Sequence, residues 1–296
     1  MNQIQRVAIV GGTHGNELTG AYLVKKFEQF PNLIKRSSFE SMALLANPQA
    51  FAARRRYIDR DLNRCFTTEN LNNPTPESYE ESQAQAINHI LGPKGRPKVD
   101  VIVDLHSTTA NMGLTIIPVD ACPFNLRLAA YLTSRNPLIK VFRWQQSGQE
   151  SPFLRSIGEL GCTIEVGPIA QGVLDAKLFQ QTEELTNVVL DYLETYNQGT
   201  SLSVPATLTV YQCVDTVDYP KNQQGELQAM IHPQLQFMDY QPLNPGDPMF
   251  LTFDGQVIPY QGKSTVYPVF INEAAYYEKG IAMCLTEKQQ CSTDVN

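Results

Sequence analysis

Between residue 6 and about residue 196, short apolar runs alternate with longer stretches in which apolar residues recur every three or four positions. Short apolar runs bounded by turn formers fit strands buried on both faces, and the longer period fits helices with one apolar stripe. The predicted strands are 7–10 (VAIV), 42–46 (MALLA), 99–105 (VDVIVDL), 114–119 (LTIIPV), 140–144 (KVFRW) and 162–166 (CTIEV). Predicted helices cover 18–30, 77–91, 125–134, 152–159 and 174–196, the last closed by Asn197, Gln198 and Gly199. Alternation of this kind builds a mainly parallel sheet covered by helices, so residues 1–200 are expected to form an α/β domain. Beyond the polar hinge 199–205 the pattern changes to short strands divided by Pro, Gly and Asn turns: TLTVYQCV, LQAMIHP, PMFLTF, QVIPY, STVYPVFI and GIAMCL. Residues 201–296 are therefore expected to form a smaller β-rich domain. One early stretch, FAARRRYIDRDLNR, carries neither period and is expected to be a loop.

Composition narrows the partners. With 42% hydrophobic residues over 296 positions, the chain has material for a sizeable core. Its net charge of -7, with Arg54, Arg55 and Arg56 as the one tight basic cluster, excludes a nucleic-acid partner, which needs cations arrayed along phosphates. No run reaches the roughly 20 apolar residues of a membrane span, and the N-terminus lacks the apolar centre of a signal peptide. A cytoplasmic protein is expected. The six cysteines show no CxxC spacing, so they are read as reduced and mostly buried rather than as a disulfide framework or zinc site.

Chemistry concentrates at strand ends. VAIVGGTHGNELTG sets His14 and Glu17 three residues apart just past a strand's carboxyl end, where open α/β sheets hold ligands. On a helical turn that spacing puts both side chains on one face. His106 ends the strand VDVIVDLHS and reaches the same edge, with Asp104 two residues before it on the same strand face to orient it. Two histidines and one glutamate complete a catalytic zinc set, which uses three protein ligands and leaves a fourth position open. His89, inside a predicted helix, and His232, in an IHP turn, are read as ordinary structural histidines.

Glu165 stands within the apolar strand CTIEV, and carboxylates are seldom placed there without a task. As a general base it would take a proton from the attacking water and pass it to a leaving amine. An N-acyl amino acid is an anion, so its pocket needs fixed cations, and the planar fork of arginine suits carboxylates. Arg56 is a candidate to polarise the scissile carbonyl, Asn63 and Arg64 to hold the α-carboxylate, and Arg155 to bind a second carboxylate, each arginine's alternative being a solvated surface charge, the reading preferred for Arg54 and Arg55.

Taken together and in order, GGTHGNELTG, YIDRDLNR, VDLHSTTANMG, IEVGP, NPGDPMFLT and TVYPVFINEAAYYEK resemble the aspartoacylase family over nearly the whole chain. The resemblance implies a zinc carboxypeptidase-like mixed sheet flanked by helices, capped by a C-terminal β domain that narrows the channel. It implies one Zn2+ on His14, Glu17 and His106, with Glu165 as base and Arg56 as carbonyl polariser. It adds Tyr276 to the α-carboxylate clamp, gives Arg155 the β-carboxylate of N-acetyl-aspartate, and implies self-association. One position departs from the pattern: the animal aspartoacylases carry a tyrosine four residues before the arginine, where Ser151 stands here. The related aminoacylase that prefers N-acetyl aromatic amino acids and mercapturates shares the zinc and base positions, and Arg155 favours the acidic substrate over the aromatic one. A non-catalytic binding module on the same fold is the reading of another class, and a base beside a three-ligand metal argues against it.

Overall fold

The first apolar run becomes β1 (Arg6–Gly11), with its last five residues buried. A computed structural model describes residues 3–144, 150–200 and 202–293; Ser201, in the expected hinge, and the outermost ends of the two expected domains lie outside it. Strands β2 (Glu40–Leu45), β3 (Val101–Ser107), β4 (Gly113–Pro118), β5 (Ile139–Arg143) and β6 (Leu160–Gly167) follow the remaining apolar runs of the first half. In the second half come β7 (Thr207–Val217), β8 (Ala229–Ile231), β9 (Pro248–Thr252), β10 (Val257–Pro259) and β11 (Met283–Ser292).

Eight of these strands form one mixed sheet in the order β11-β7-β5-β4-β6-β3-β1-β2, and β10-β9-β8 form a small antiparallel sheet. Within the large sheet β4 runs antiparallel to β6 and β7 antiparallel to β11, while the other neighbours are parallel. The sheet thus draws β7 and β11 from beyond residue 201 into the framework of the first half.

Helices α1 (Leu18–Gln29), α2 (Pro48–Ala53), α3 (Thr68–Asn72), α4 (Tyr79–Leu91), α5 (Pro123–Arg135) and α6 (Ala176–Asn197) cover this sheet. Side chains of Asn47, Thr67, Ser78 and Asp175 cap α2, α3, α4 and α6 by accepting a backbone N–H near each start. Alternation along β1 sends Val7 and Ile9 into a core with Leu23, Phe27, Phe124 and Leu190, and Ala8 and Val10 into another with Phe66, Ile87 and Leu91. Helices α1, α5 and α6 therefore pack on one face and α4 on the other. Gly20 permits a close approach of α1 to β3, because a Cβ there would sit 2.5 Å from the Leu105 carbonyl oxygen. No helix among the described residues is long and apolar enough to cross a membrane.

Three local expectations are corrected. The helix predicted over 152–159 is a short 3-10 turn, Leu154–Ile157. Its backbone is committed elsewhere: the Leu154 N–H goes to Asn63 Oδ1 and the Pro152 carbonyl accepts from Phe66. The strand predicted over STVYPVFI forms isolated bridges at Val266 and Val269 instead, since Pro268 has no N–H and Phe270 and Asn272 take φ of 53° and 59°. The start of the expected FAARRR loop is helix α2, for which Asn47 as cap and Pro48 at the first position were the sequence signals.

Candidate metal and substrate site

From the end of β1 the chain enters a turn closed by the Glu17 N–H on the His14 carbonyl, 3.1 Å. His14 and Glu17 therefore occupy a turn ahead of α1, with Glu17 at the N-cap position, rather than a helical face. Gly15 is what lets the turn seat: a Cβ there would lie 2.1 Å from the Ala50 carbonyl carbon and 2.2 Å from the Phe51 nitrogen. Its N–H also donates to the Arg56 carbonyl at 3.1 Å, tying the arginine-rich loop to the turn.

His106, the penultimate residue of β3, completes a buried cluster with His14 and Glu17 whose ligand atoms all lie within 4.8 Å of one another. Glu17 stands between the two rings, Oε1 2.5 Å from His14 Nδ1 and Oε2 3.0 Å from His106 Nδ1. Burial alone would raise the Glu17 pKa, but the neighbouring His14 and His106 outweigh it and hold the carboxyl well below its ordinary range. Each outer nitrogen meets a carboxylate: His106 Nε2 is 2.9 Å from Asp104, itself bonded by the Thr13 hydroxyl, and His14 Nε2 is 3.0 Å from Asp61. Two imidazoles and a carboxylate, oriented from behind by acids, are a donor set that fits a catalytic zinc with an open position. Arg56 Nη2 also lies 2.9 Å from His14 Nε2. When that nitrogen carries its proton both groups are donors, and Asp61 is the neighbour that can accept from it.

Glu165 arrives on β6, which runs parallel to β3 with His106 and Glu165 directly paired in register. Burial pushes its carboxyl up to about 8, reinforced by the Glu17 and Glu273 charges and opposed by His106 and Arg56. Arg56 Nη1 donates to Glu17 Oε1 at 3.0 Å, while its buried Nε has no partner. Asn63 Oδ1 is occupied by the Leu154 N–H at 2.9 Å, which leaves the Nδ2 donors for a ligand.

Arg155 is 7% exposed and donates to Thr163 Oγ1 at 3.3 Å. Its Nε has no partner among the described residues, and the side-chain bond it makes is to the Thr163 hydroxyl rather than to a carboxylate. Burial pulls its pKa down to about 10, outweighing the Asp104 charge, which acts to raise it. Tyr276 comes from the short helical turn Ala274–Lys279.

All nine candidate residues line one cleft, whose remaining wall joins the apolar Ile117, Phe142, Trp144, Phe153 and Phe270 to Glu273 and three hydroxyl residues. Ser151 is absent from that lining, and its carbonyl accepts from Lys94 Nζ at 2.6 Å. His89 lies exposed on α4, and His232 Nδ1 accepts the Gln234 N–H at 3.2 Å; neither reaches the cleft. Of the six cysteines, all free, Cys65, Cys162 and Cys284 are buried and the others half-buried.

Sequence reasoning passed over Asp61, Lys279 and Glu273. Lys279 donates to Asp61, and Glu273 gathers the Thr109 N–H at 2.7 Å, the Thr109 hydroxyl at 2.9 Å and the Thr108 hydroxyl. The signal available was an acidic residue inside each arginine- or tyrosine-bearing motif, YIDRDLNR and NEAAYYEK.

The Succinylglutamate desuccinylase/Aspartoacylase catalytic domain family matches residues 3–193, and the AstE/AspA barrel-sandwich hybrid domain matches residues 206–288. A Nostoc sp. protein named probable aspartoacylase is 60% identical over 290 residues, covering 98% of each chain. The N-acyl-aromatic-L-amino acid amidohydrolase (carboxylate-forming) of Homo sapiens is 46% identical, with 96% of this chain and 91% of that protein covered. The crystal structure of murine aminoacylase 3 aligns with a TM-score of 0.95 at 43% identity, covering 99% of this chain and 98% of that one.

Proposed function

Because the chain belongs to the succinylglutamate desuccinylase/aspartoacylase family, we propose that it is a zinc-dependent amidohydrolase converting N-acetyl-L-aspartate and water into acetate and L-aspartate. Arg155 carries this reading: a buried guanidinium with an unsatisfied Nε and no acidic partner among the described residues calls for an anion from the ligand. A side-chain carboxylate on the substrate supplies one. The six free cysteines fit the cytoplasm expected for such an enzyme.

In this reading the α-carboxylate lies on Arg64, the Asn63 Nδ2 donors and the Tyr276 hydroxyl, and the β-carboxylate on Arg155. The two anchors fix the amide so that its carbonyl oxygen meets Arg56, whose charge stabilises the oxygen as negative charge develops there. Zinc on His14, Glu17 and His106 supplies a Lewis acid and lowers the pKa of water. Glu165 removes a proton from the attacking water and delivers it to the leaving amine of aspartate. Its raised pKa suits both transfers, because a base near neutrality gives up its proton again readily.

A second reading draws on the cleft's aromatic wall: Phe142, Trp144, Phe153 and Phe270 suit an N-acyl aromatic amino acid, the substrate class in the name of the human relative. It leaves Arg155 buried without a counter-ion, and sites with unpaired buried polar groups reject ligands that cannot pair them. Arg155→Ala separates the two. Losing one partner of a desolvated charge-assisted pair should cut kcat/KM for N-acetyl-aspartate ~100-fold or more. N-acetyl-alanine, which has no carboxylate there, should be slowed much less, while Arg64→Ala should slow both substrates alike. Equal loss on both substrates in Arg155→Ala would refute the aspartate reading.

A further inference from the structure

Arg64 and Arg155 are like charges facing one cleft, and the same aromatic ring meets both. The Arg64 Cζ lies 4.8 Å from the centroid of Phe153 and the Arg155 Cζ 4.5 Å from it. An aromatic face is electrically negative, so it attracts each guanidinium, and more strongly where water is excluded. Backbone on both sides of the ring is tied to the segment that bears Arg64. The Pro152 carbonyl accepts the Phe66 N–H at 3.2 Å, and the Leu154 N–H donates to Asn63 Oδ1 at 2.9 Å. The ring itself is half-buried in the cleft wall. Burial pulls the Arg155 pKa down, with the Asp104 charge opposing and the Arg64 charge adding to it; the two guanidinium groups repel each other, and the ring between them attracts both.

We propose that Phe153 is a specificity-determining residue: its ring holds the Arg64 and Arg155 guanidinium groups at a fixed spacing and so selects substrates whose second carboxylate lies one methylene from the α-carbon. This rests on the reading that N-acetyl-aspartate is the substrate and adds what sets the distance between its two anchors. Phe153 touches the arginines and acts through them. A longer dicarboxylate, N-acetyl-glutamate, then misplaces one anion or its amide, whereas without the ring either arginine can shift to follow it.

The test compares kcat and KM for N-acetyl-L-aspartate and N-acetyl-L-glutamate in the zinc-loaded wild type, Phe153→Leu and Phe153→Tyr. Phe153→Leu should lower the aspartate-over-glutamate ratio of kcat/KM ~10-fold, between the sizes of an exposed and a fully desolvated cation–π contact, mainly by raising KM for N-acetyl-aspartate. Phe153→Tyr keeps the aromatic face and should keep the ratio. Phenylalanine carrying one, two or three ring fluorines at position 153 weakens the face with little change of shape, so the ratio should fall stepwise; this series decides the matter if Phe153→Leu does not fold. An unchanged ratio in Phe153→Leu and across the fluorinated series overturns the role of Phe153 and leaves the N-acetyl-aspartate reading standing. A wild type that cleaves aspartate and glutamate derivatives equally does the same. A wild type that cleaves neither overturns both.

Discussion

As the proposed base, Glu165 would meet two opposing demands: burial on β6 favours its neutral form, while a base must be charged to accept a proton. The carboxyl stands at about 8 before any metal charge is added, and a nearby zinc lowers it. If Glu165 is that base, activity requires its unprotonated form, and kcat/KM for N-acetyl-aspartate should rise with pH through the Glu165 pKa and level off above it. Glu165→Gln should retain zinc while kcat falls by ~100-fold or more, the usual contribution of a positioned base. Turnover near the wild-type rate in that variant would reassign the base. At this scale residue type and position in the pattern were readable: a glutamate in CTIEV and histidines at strand ends stand out against apolar neighbours. What they touch was not, because the contacts are distant along the chain. Asp61 meets His14 across 47 positions and Lys279 meets Asp61 across 218.

Elements deliver these side chains, and the turn between β1 and α1 does so under a tight steric limit. Gly15→Ala would push a methyl group into the backbone of Ala50 and Phe51, so either the turn or α2 must move. A clash of this kind typically costs about 1–3 kcal/mol. The expected outcome is a Tm lowered by several degrees and less zinc retained per chain, read by thermal unfolding and metal analysis. Wild-type values for both would show that the turn does not depend on Gly15. Strands buried on both faces, β1, β3 and β6, were legible because their apolar runs are unbroken. The helical period over 152–159 does not become a helix because its backbone bonds go to Asn63 and Phe66, partners far away in sequence. The register that sets Glu165 beside His106 belongs to the pairing of β3 with β6, which no local pattern encodes.

Across the whole molecule, the cleft gathers residues from position 14 to position 276, and its three candidate metal ligands, His14, Glu17 and His106, come together only in the folded chain. Linkage would then make a bound zinc a stabiliser, by about 2.7 kcal/mol at a hundredfold excess over its dissociation constant. Chelation should strip about one zinc per chain, abolish hydrolysis and lower the Tm, with zinc restoring both. Active protein free of bound metal would contradict this. The α/β character of the first half and the β-rich second half were legible from period alone. That β7 and β11 join the large sheet was not, since strand pairing across the whole chain leaves no mark in either segment. The identity of the substrate turns on whether the buried Arg155 or the aromatic wall governs selection, and side-by-side kcat/KM for N-acetyl-L-aspartate and N-acetyl-L-tyrosine in the zinc-loaded wild type measures that directly. A preference for N-acetyl-aspartate of ~100-fold or more is expected, from the cost of leaving a buried cation unpaired. A preference for N-acetyl-tyrosine would contradict it and make the aromatic wall the determinant of specificity.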